Sequence, residues 1–125
     1  MKLNHDCVRD LLLYLEENLN LNDVLSVENI SLKDYSTEEL LYTADKLYEA
    51  GYINCSRKIY DNADLVILVS SITYDGHQFL DNIRDDKIFN KTKSILSTLK
   101  SVSIEIVSET ASKVITNAIN QQFNL

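Results

Sequence analysis

Two histidines and two cysteines are the side chains of this 125-residue sequence whose types best suit proton transfer, nucleophilic attack or metal binding. His5 lies far from His77 in the sequence, Cys7 lies far from Cys55, and no CxxC motif is present. No serine, cysteine or carboxylate is spaced to complete a triad around His77. We therefore expect a structural His77, a His5 at the surface where a helix starts, and no zinc site. We expect both thiols to be reduced and largely buried, the alternative being a disulfide or a reactive thiol.

Three aspartates of the type that binds Mg²⁺ or Ca²⁺, Asp81, Asp85 and Asp86, fall within two helical turns. Arg84 and Lys87 are interleaved with them, which favours a solvated face with local ion pairs. The chain has only two glycines, so it lacks a glycine-rich phosphate-binding loop. The sequence therefore predicts no catalytic residues, no cofactor and no metal, and we expect a protein that is not an enzyme.

The charge is distributed unevenly along the chain. Of 19 acidic and 12 basic side chains, 11 acidic and four basic ones fall in residues 1–50, so this segment carries the net charge of −7. Nucleic acids and anionic membranes attract concentrated lysine and arginine, so this half is a poor surface for either. No apolar run approaches the roughly 20 residues that span a bilayer, and the amino terminus does not resemble a signal peptide. We expect a cytoplasmic protein that does not bind membranes.

The elements that would position these side chains follow from apolar spacing and capping residues. A first helix is predicted from Asn4, its cap, to Asn18, and a short strand or extended connection follows between Val24 and Leu32. The next helix begins with a capping box, Ser36 to Glu39, and Gly51 ends it. Two strands then form a hairpin with its turn at 60–64. A helix that begins at Thr73 follows, and its apolar stripe continues to Leu99, either unbroken or with a break near Asp85-Asp86. A last helix begins at Ser103.

This order of elements is that of a winged-helix domain. We predict an α+β protein in which residues 1–86 form a winged-helix-like domain with a helix, a short strand, a capped helix and a β-hairpin wing. Residues 87–125 form a C-terminal helical extension that packs on the domain or on a partner chain.

Three segments also resemble a known family: Met1–Arg9, Leu47–Ile53 and Ile72–Asp86. They are similar to the bacterial and prophage proteins of domain of unknown function 2513, which is related to YjcQ-like winged-helix proteins. The most specific piece is Thr-x-x-Gly-His-x-Phe-Leu-Asp-x-Ile-Arg-Asp, which begins at Thr73. The resemblance implies a winged-helix fold and a phage-linked context, and it brings no catalytic residues.

The charge of the predicted recognition helix helps to choose between two functions that a winged-helix fold can have, DNA binding and protein binding. In DNA-binding winged helices a recognition helix enters the major groove and the wing contacts phosphates. The predicted recognition helix, residues 37–50, carries one lysine, Lys46, and four acids: Glu38, Glu39, Asp45 and Glu49. We therefore expect a prophage-associated protein-binding accessory or inhibitor that acts through this acidic surface, with mimicry of nucleic acid as one version. The alternative is a transcription regulator that binds DNA as a dimer through the wing residues Arg57 and Lys58.

The last predicted helix carries an apolar face formed by Val107, Ala111, Val114 and Ala118. Its β-branched residues lower intrinsic helix propensity, so the helix needs a partner face. Self-association as a homodimer is one way to provide that face, and packing within one chain is the other.

Overall fold

The computed structural model describes residues 1–124 and divides into two compact units. The first is Met1–His77 and the second begins at Gln78. The domain boundary expected from the sequence, after residue 86, stays a prediction. The first unit contains α1 (His5–Asn18), β1 (Leu25–Ser26), a 3-10 turn (Val27–Asn29), α2 (Thr37–Glu49), β2 (Ile53–Ile59) and β3 (Leu65–Ile72). Helix α3 (Tyr74–Ile83) begins in the first unit, and α4 (Asp86–Leu96) and α5 (Ile104–Gln122) belong to the second.

Helix α1 begins where its capping residue predicts. The Asn4 side chain accepts hydrogen bonds from the backbone N–H groups of Asp6 and Cys7, and this satisfies two of the donors that a helix start leaves open. The apolar residues at helical spacing are fully buried on one face: Cys7, Val8, Leu11, Leu12 and Leu15. The predicted first helix is confirmed.

Both predicted ends of α2 are also confirmed. The Ser36 hydroxyl accepts a hydrogen bond of 3.1 Å from the Glu39 N–H. At the other end Gly51 adopts φ +80°, and its N–H donates to the Tyr48 carbonyl at 3.0 Å. The Tyr52 N–H donates to the Leu47 carbonyl at 2.9 Å, which completes a Schellman motif.

The three strands form an antiparallel sheet in the order β1-β3-β2. Strands β2 and β3 are the predicted hairpin, with Cys55 opposite Val69 and a register shift between Asn54 and Cys55. Their tight turn contains Ala63 in the left-handed region at φ 67°. The extended segment expected between residues 24 and 32 is shorter than predicted, because the 3-10 turn ends β1 after two residues. The first unit thus has a winged-helix-like arrangement within an α+β fold.

Glu28 occupies the position on the sheet edge where β1 stops. Ser26 is paired with Leu68, so Ile67 is the next residue of β3 beyond the end of β1. The Ile67 N–H donates a hydrogen bond of 2.8 Å to Glu28 Oε1, and the Ser26 hydroxyl donates to the other carboxylate oxygen. A side chain therefore satisfies a backbone donor that a longer β1 would have paired.

Helix α3 starts close to the chain that follows α2. The Thr73 hydroxyl accepts from the Gly76 N–H at 3.0 Å, as the predicted cap requires. A Cβ at Gly76 would lie 2.1 Å from the Tyr52 carbonyl oxygen and 2.8 Å from a methyl group of Ile72. Glycine is therefore required for space at the last position of the Thr-x-x-Gly sequence.

The second unit is built around the packing of α4 on α5. Asp85 caps α4 by accepting from the Ile88 N–H at 3.0 Å, so of the two alternatives the helical stripe is the broken one, and Ser103 caps α5 by accepting from the Ile106 N–H at 3.1 Å. Thr92 is fully buried, and its hydroxyl donates to the Ile88 carbonyl at 2.7 Å. Within residues 1–124 no helix has both the length and the apolar character needed to cross a bilayer.

Candidate interaction surface

The acidic residues of α2 lie on the side of the helix that points away from the core. Glu38, Asp45 and Glu49 are separated by seven and four residues, so they follow one line along the helix surface. The buried face, formed by Leu40, Thr43, Ala44 and Leu47, is on the opposite side. We call the line of Glu38, Asp45 and Glu49, together with Glu39 at its flank, the α2 acidic face.

Two of these carboxylates already have a cationic partner. Asp45 Oδ1 lies 2.5 Å from Arg57 Nε, and Glu49 Oε2 accepts a hydrogen bond of 2.9 Å from Lys46 Nζ. The Asp45 side chain is only 16% exposed, whereas that of Glu49 is 54% exposed, so Glu49 presents more of its charge to solvent. Glu38 is exposed on the first turn of the helix. Among the four acids, Glu38 and Glu49 are therefore the most accessible.

Arg57 and Lys58, the two wing residues proposed for DNA contact, point in different directions and have different neighbours. Arg57 is opposite Ile67 and Lys58 is opposite Val66, so their side chains leave successive positions of β2 toward opposite faces of the sheet. Arg57 forms the ion pair with Asp45 and lies 6.0 Å from the Tyr48 ring centre. The Lys58 ammonium lies 4.9 Å from the Tyr60 ring centre at the tip of the hairpin. The hairpin thus does not present these two cations as one basic patch.

Helix α1 places two carboxylates, those of Asp6 and Asp10, near Tyr35, which precedes α2. The sequence analysis did not predict this arrangement. Asn4 Nδ2 donates to Glu39 Oε1 at 3.0 Å, and the Tyr35 hydroxyl donates to Asp10 Oδ2 at 2.7 Å. Burial raises the pKa of Tyr35 well above its ordinary value, and the hydrogen bond to Asp10 and the negative charges of Asp10 and Asp6 raise it further. Asp6 is recognisable from the sequence only as an acidic residue in the first turn of α1, and no spacing rule predicts that Asp6 and Asp10 lie near Tyr35.

Both cysteines are free, Cys7 buried and Cys55 half-buried. Burial raises the pKa of the Cys7 thiol, and the nearby Glu39 and Asp10 charges act in the same direction, while a hydrogen bond with Thr43 opposes them. Burial also raises the pKa of Cys55, against the lowering effect of Arg57. Both groups are therefore held in the protonated form, which is a poor nucleophile.

His77 borders a surface cleft of about 230 Å³ whose lining includes Leu15, Glu16, Ser70 and Ser71. Its Nδ1 lies 3.8 Å from Glu16 Oε2, and the side chain is 49% exposed. Neither cysteine lines this cleft.

The predicted aspartate cluster lies at the end of α3 and the start of α4. Arg84 donates to Asp81 at 3.1 Å, and Asp85 is the cap of α4, so the predicted local ion pair is confirmed. Within the described residues, 1–124, no three His, Cys, Asp or Glu side chains come together in a way that could hold a metal ion.

The predicted oligomer face of α5 is mostly covered within one chain. Val107, Ala111 and Val114 are buried, whereas Ala118 is exposed. The spacing correctly predicts which residues share a face, but α5 packs the first part of that face inside its own unit, against α4. These three side chains are therefore not an accessible surface of the folded chain, and self-association stays a prediction.

Comparison with known proteins gives a family and one distant relative. An uncharacterized protein of Haemophilus influenzae (strain ATCC 51907 / DSM 11121 / KW20 / Rd) is 28% identical over 121 residues, which cover 97% of this chain and 98% of that protein. No solved structure matches the chain significantly. The sequence pattern of the family described as "Hypothetical protein (DUF2513)" matches residues 2–103, which include all of the first unit except Met1. The chain therefore belongs to the DUF2513 family of hypothetical proteins.

Proposed function

We propose that this chain is a non-catalytic, prophage-associated accessory protein that binds a basic surface of another protein through the α2 acidic face. The observation that carries the proposal is the line of Glu38, Asp45 and Glu49 on the side of α2 opposite its buried residues, in which Glu38 and Glu49 are exposed. A solvated line of like charge attracts a partner of opposite charge and repels a phosphate backbone. The phage context comes from the family resemblance and is an expectation in its own right.

The charge of the whole first unit supports a basic partner. Residues 1–77 contain 14 acidic and six basic side chains, and one of the six, Arg57, is paired with Asp45. The position that a recognition helix would place in a DNA groove is therefore negative, and the adjacent wing supplies no compensating patch. A basic partner surface fits both features, and an enzyme that binds nucleic acid is one protein of that kind.

Affinity capture from the host, read by mass spectrometry, tests the proposal. The double variant Glu38→Lys and Glu49→Lys reverses the two most accessible charges and should lose a partner that the wild type retains. The matched control is Glu105→Lys with Glu109→Lys, which makes the same charge change at exposed positions of α5 and should retain that partner. Binding to the purified partner should weaken as salt rises. Equal capture by both double variants contradicts the proposal.

A mobility-shift assay at low salt distinguishes the second candidate function, a DNA-binding regulator, from the protein-binding function. We expect no shift with random or native flanking DNA. A shift that weakens steeply with salt and is lost in the double variant Arg57→Gln and Lys58→Gln would instead support DNA binding through the wing.

A further inference from the structure

Helix α5 is longer than the helix that it packs against. It has 19 residues and α4 has 11, which correspond to about 28 Å and about 17 Å of helix. The first part of α5 buries Val107, Ala111 and Val114. Toward its end the exposure rises to 48% at Ile119 and 66% at Phe123. The last turns of α5 therefore carry apolar side chains that the chain itself does not cover.

These exposed side chains share one face. Ile115, Ala118, Ile119 and Gln122 follow one another at the three- and four-residue spacings that align side chains along a helix, and Phe123 lies next to them just past the helix end. Ile115 is half-buried and the others are exposed. We call these five residues the C-terminal face of α5.

The absence of charged side chains from this segment indicates which kind of partner can bind the C-terminal face of α5. Residues 114–125 contain no Asp, Glu, Lys, Arg or His, and this is the longest such run in a chain of net charge −7. The net charge of −7 lies in residues 1–50, so two copies repel each other where these acidic segments meet, whereas contact through residues 114–125 brings no like charges together. In a two-fold interface each residue also meets its own copy or a symmetry mate, so the surface must complement itself.

The side chains of this segment satisfy that condition. A carboxylate or ammonium group opposite its own copy is repelled, whereas an amide carries both a donor and an acceptor and can pair with another amide. Asn117, Asn120, Gln121 and Gln122 supply such amides on and around the apolar residues. A charged partner protein would find no opposite charge in this segment.

We infer that the C-terminal face of α5 is the interface of a homodimer, in which the last turns of α5 from two copies pack antiparallel across a two-fold axis. This places self-association on Ile115, Ala118, Ile119, Gln122 and Phe123 instead of on the buried Val107, Ala111 and Val114. The face is small compared with stable interfaces, so we expect a dissociation constant in the micromolar range. The inference does not depend on the α2 acidic face.

Sedimentation equilibrium of the full chain tests the inference. The wild type should show a concentration-dependent shift from 14.3 kDa to twice that mass. Ile119→Lys places a charge in the interface and should weaken dimerisation by at least about tenfold while far-ultraviolet circular dichroism stays unchanged. Ile106→Lys is the matched control, because Ile106 is 41% exposed, Ile119 is 48% exposed, and Ile106 lies on the other side of the same helix. It should dimerise like the wild type.

A second variant covers the case in which Ile119→Lys perturbs folding. Gln122→Lys changes an exposed polar residue of the same face and should also weaken the dimer at least about tenfold. The inference is overturned by a folded wild-type monomer at millimolar concentration, by equal loss of the dimer in Ile106→Lys, or by undiminished dimerisation of Gln122→Lys.

Discussion

The Thr73 hydroxyl donates a hydrogen bond of 2.6 Å to the Gly51 carbonyl and accepts one of 3.0 Å from the Gly76 N–H. One side chain therefore connects the residue that ends α2 with the first turn of α3, from opposite ends of the hairpin and 22 positions apart in the sequence. The Thr73 N–H adds a hydrogen bond of 3.0 Å to the Tyr52 carbonyl. These contacts fix the two ends of the wing relative to each other.

We predict that Gly76→Ala destabilises the protein by about 2 kcal/mol or more, because the added methyl group would overlap the Tyr52 carbonyl and force backbone to move. Urea unfolding followed by circular dichroism measures the loss. The comparison variant is Gly51→Ala, which has open space around the new methyl group and should lose only about 1 kcal/mol, from its left-handed backbone. An equal loss in both variants would mean that the close approach at Gly76 is relieved without cost.

Stability should fall at alkaline pH. The pKa values of Cys7 and Tyr35 are raised in the fold, from ordinary values of 9.0 and 10.0, because burial penalises the charged form of each group. The unfolded chain therefore releases these protons at lower pH than the folded one, so this part of the stability is complete below about pH 9 and decreases above it. Denaturant midpoints measured across this range should fall less in Tyr35→Phe than in the wild type. An identical pH dependence in the two proteins would exclude Tyr35 as a source.

The ion pair between Asp45 and Arg57 should contribute modestly to stability. Its side chains are 16% and 37% exposed, so solvent screens the attraction and we expect a coupling free energy of about 0.5 to 1 kcal/mol. A double-mutant cycle with Asp45→Asn and Arg57→Gln measures it, and the coupling should shrink as salt is added. A coupling indistinguishable from zero at low salt would show that Arg57 is available for other contacts.

Val114→Glu should unfold the second unit instead of only dissociating a dimer. Val114 is buried within the single chain, and a carboxylate there would lose its hydration, so we expect a loss of roughly 3 kcal/mol. Ala118→Glu, one turn later on the same helix, is exposed and should retain the unfolding midpoint of the wild-type monomer. Thermal unfolding at low protein concentration compares the two variants.

Local sequence rules predicted the helices and strands and their ends more accurately than the contacts between surface side chains. Asn4, Ser36, Gly51, Asp85 and Ser103 each act within a few residues of themselves, so their types and positions are sufficient to place the helix ends. The ion pair of Asp45 with Arg57 and the hydrogen bond of Asn4 to Glu39 join different elements. The burial of Val107, Ala111 and Val114 likewise depends on where α4 lies. Such relationships follow from the fold and not from spacing, so the sequence could identify the candidate residues but not their partners.

The hydrogen bond from the Ile67 N–H to Glu28 protects this part of the β3 edge against pairing with another chain. An open edge of β3 would be a template on which another extended chain could add as a fourth strand, the first step toward insoluble fibres. The Glu28 carboxylate already accepts the hydrogen bond of the Ile67 N–H. An added strand would have to displace Glu28, and the carboxylate would then lose its hydrogen bond to the backbone. The Glu28 side chain therefore opposes the addition of another strand to β3 where β1 ends.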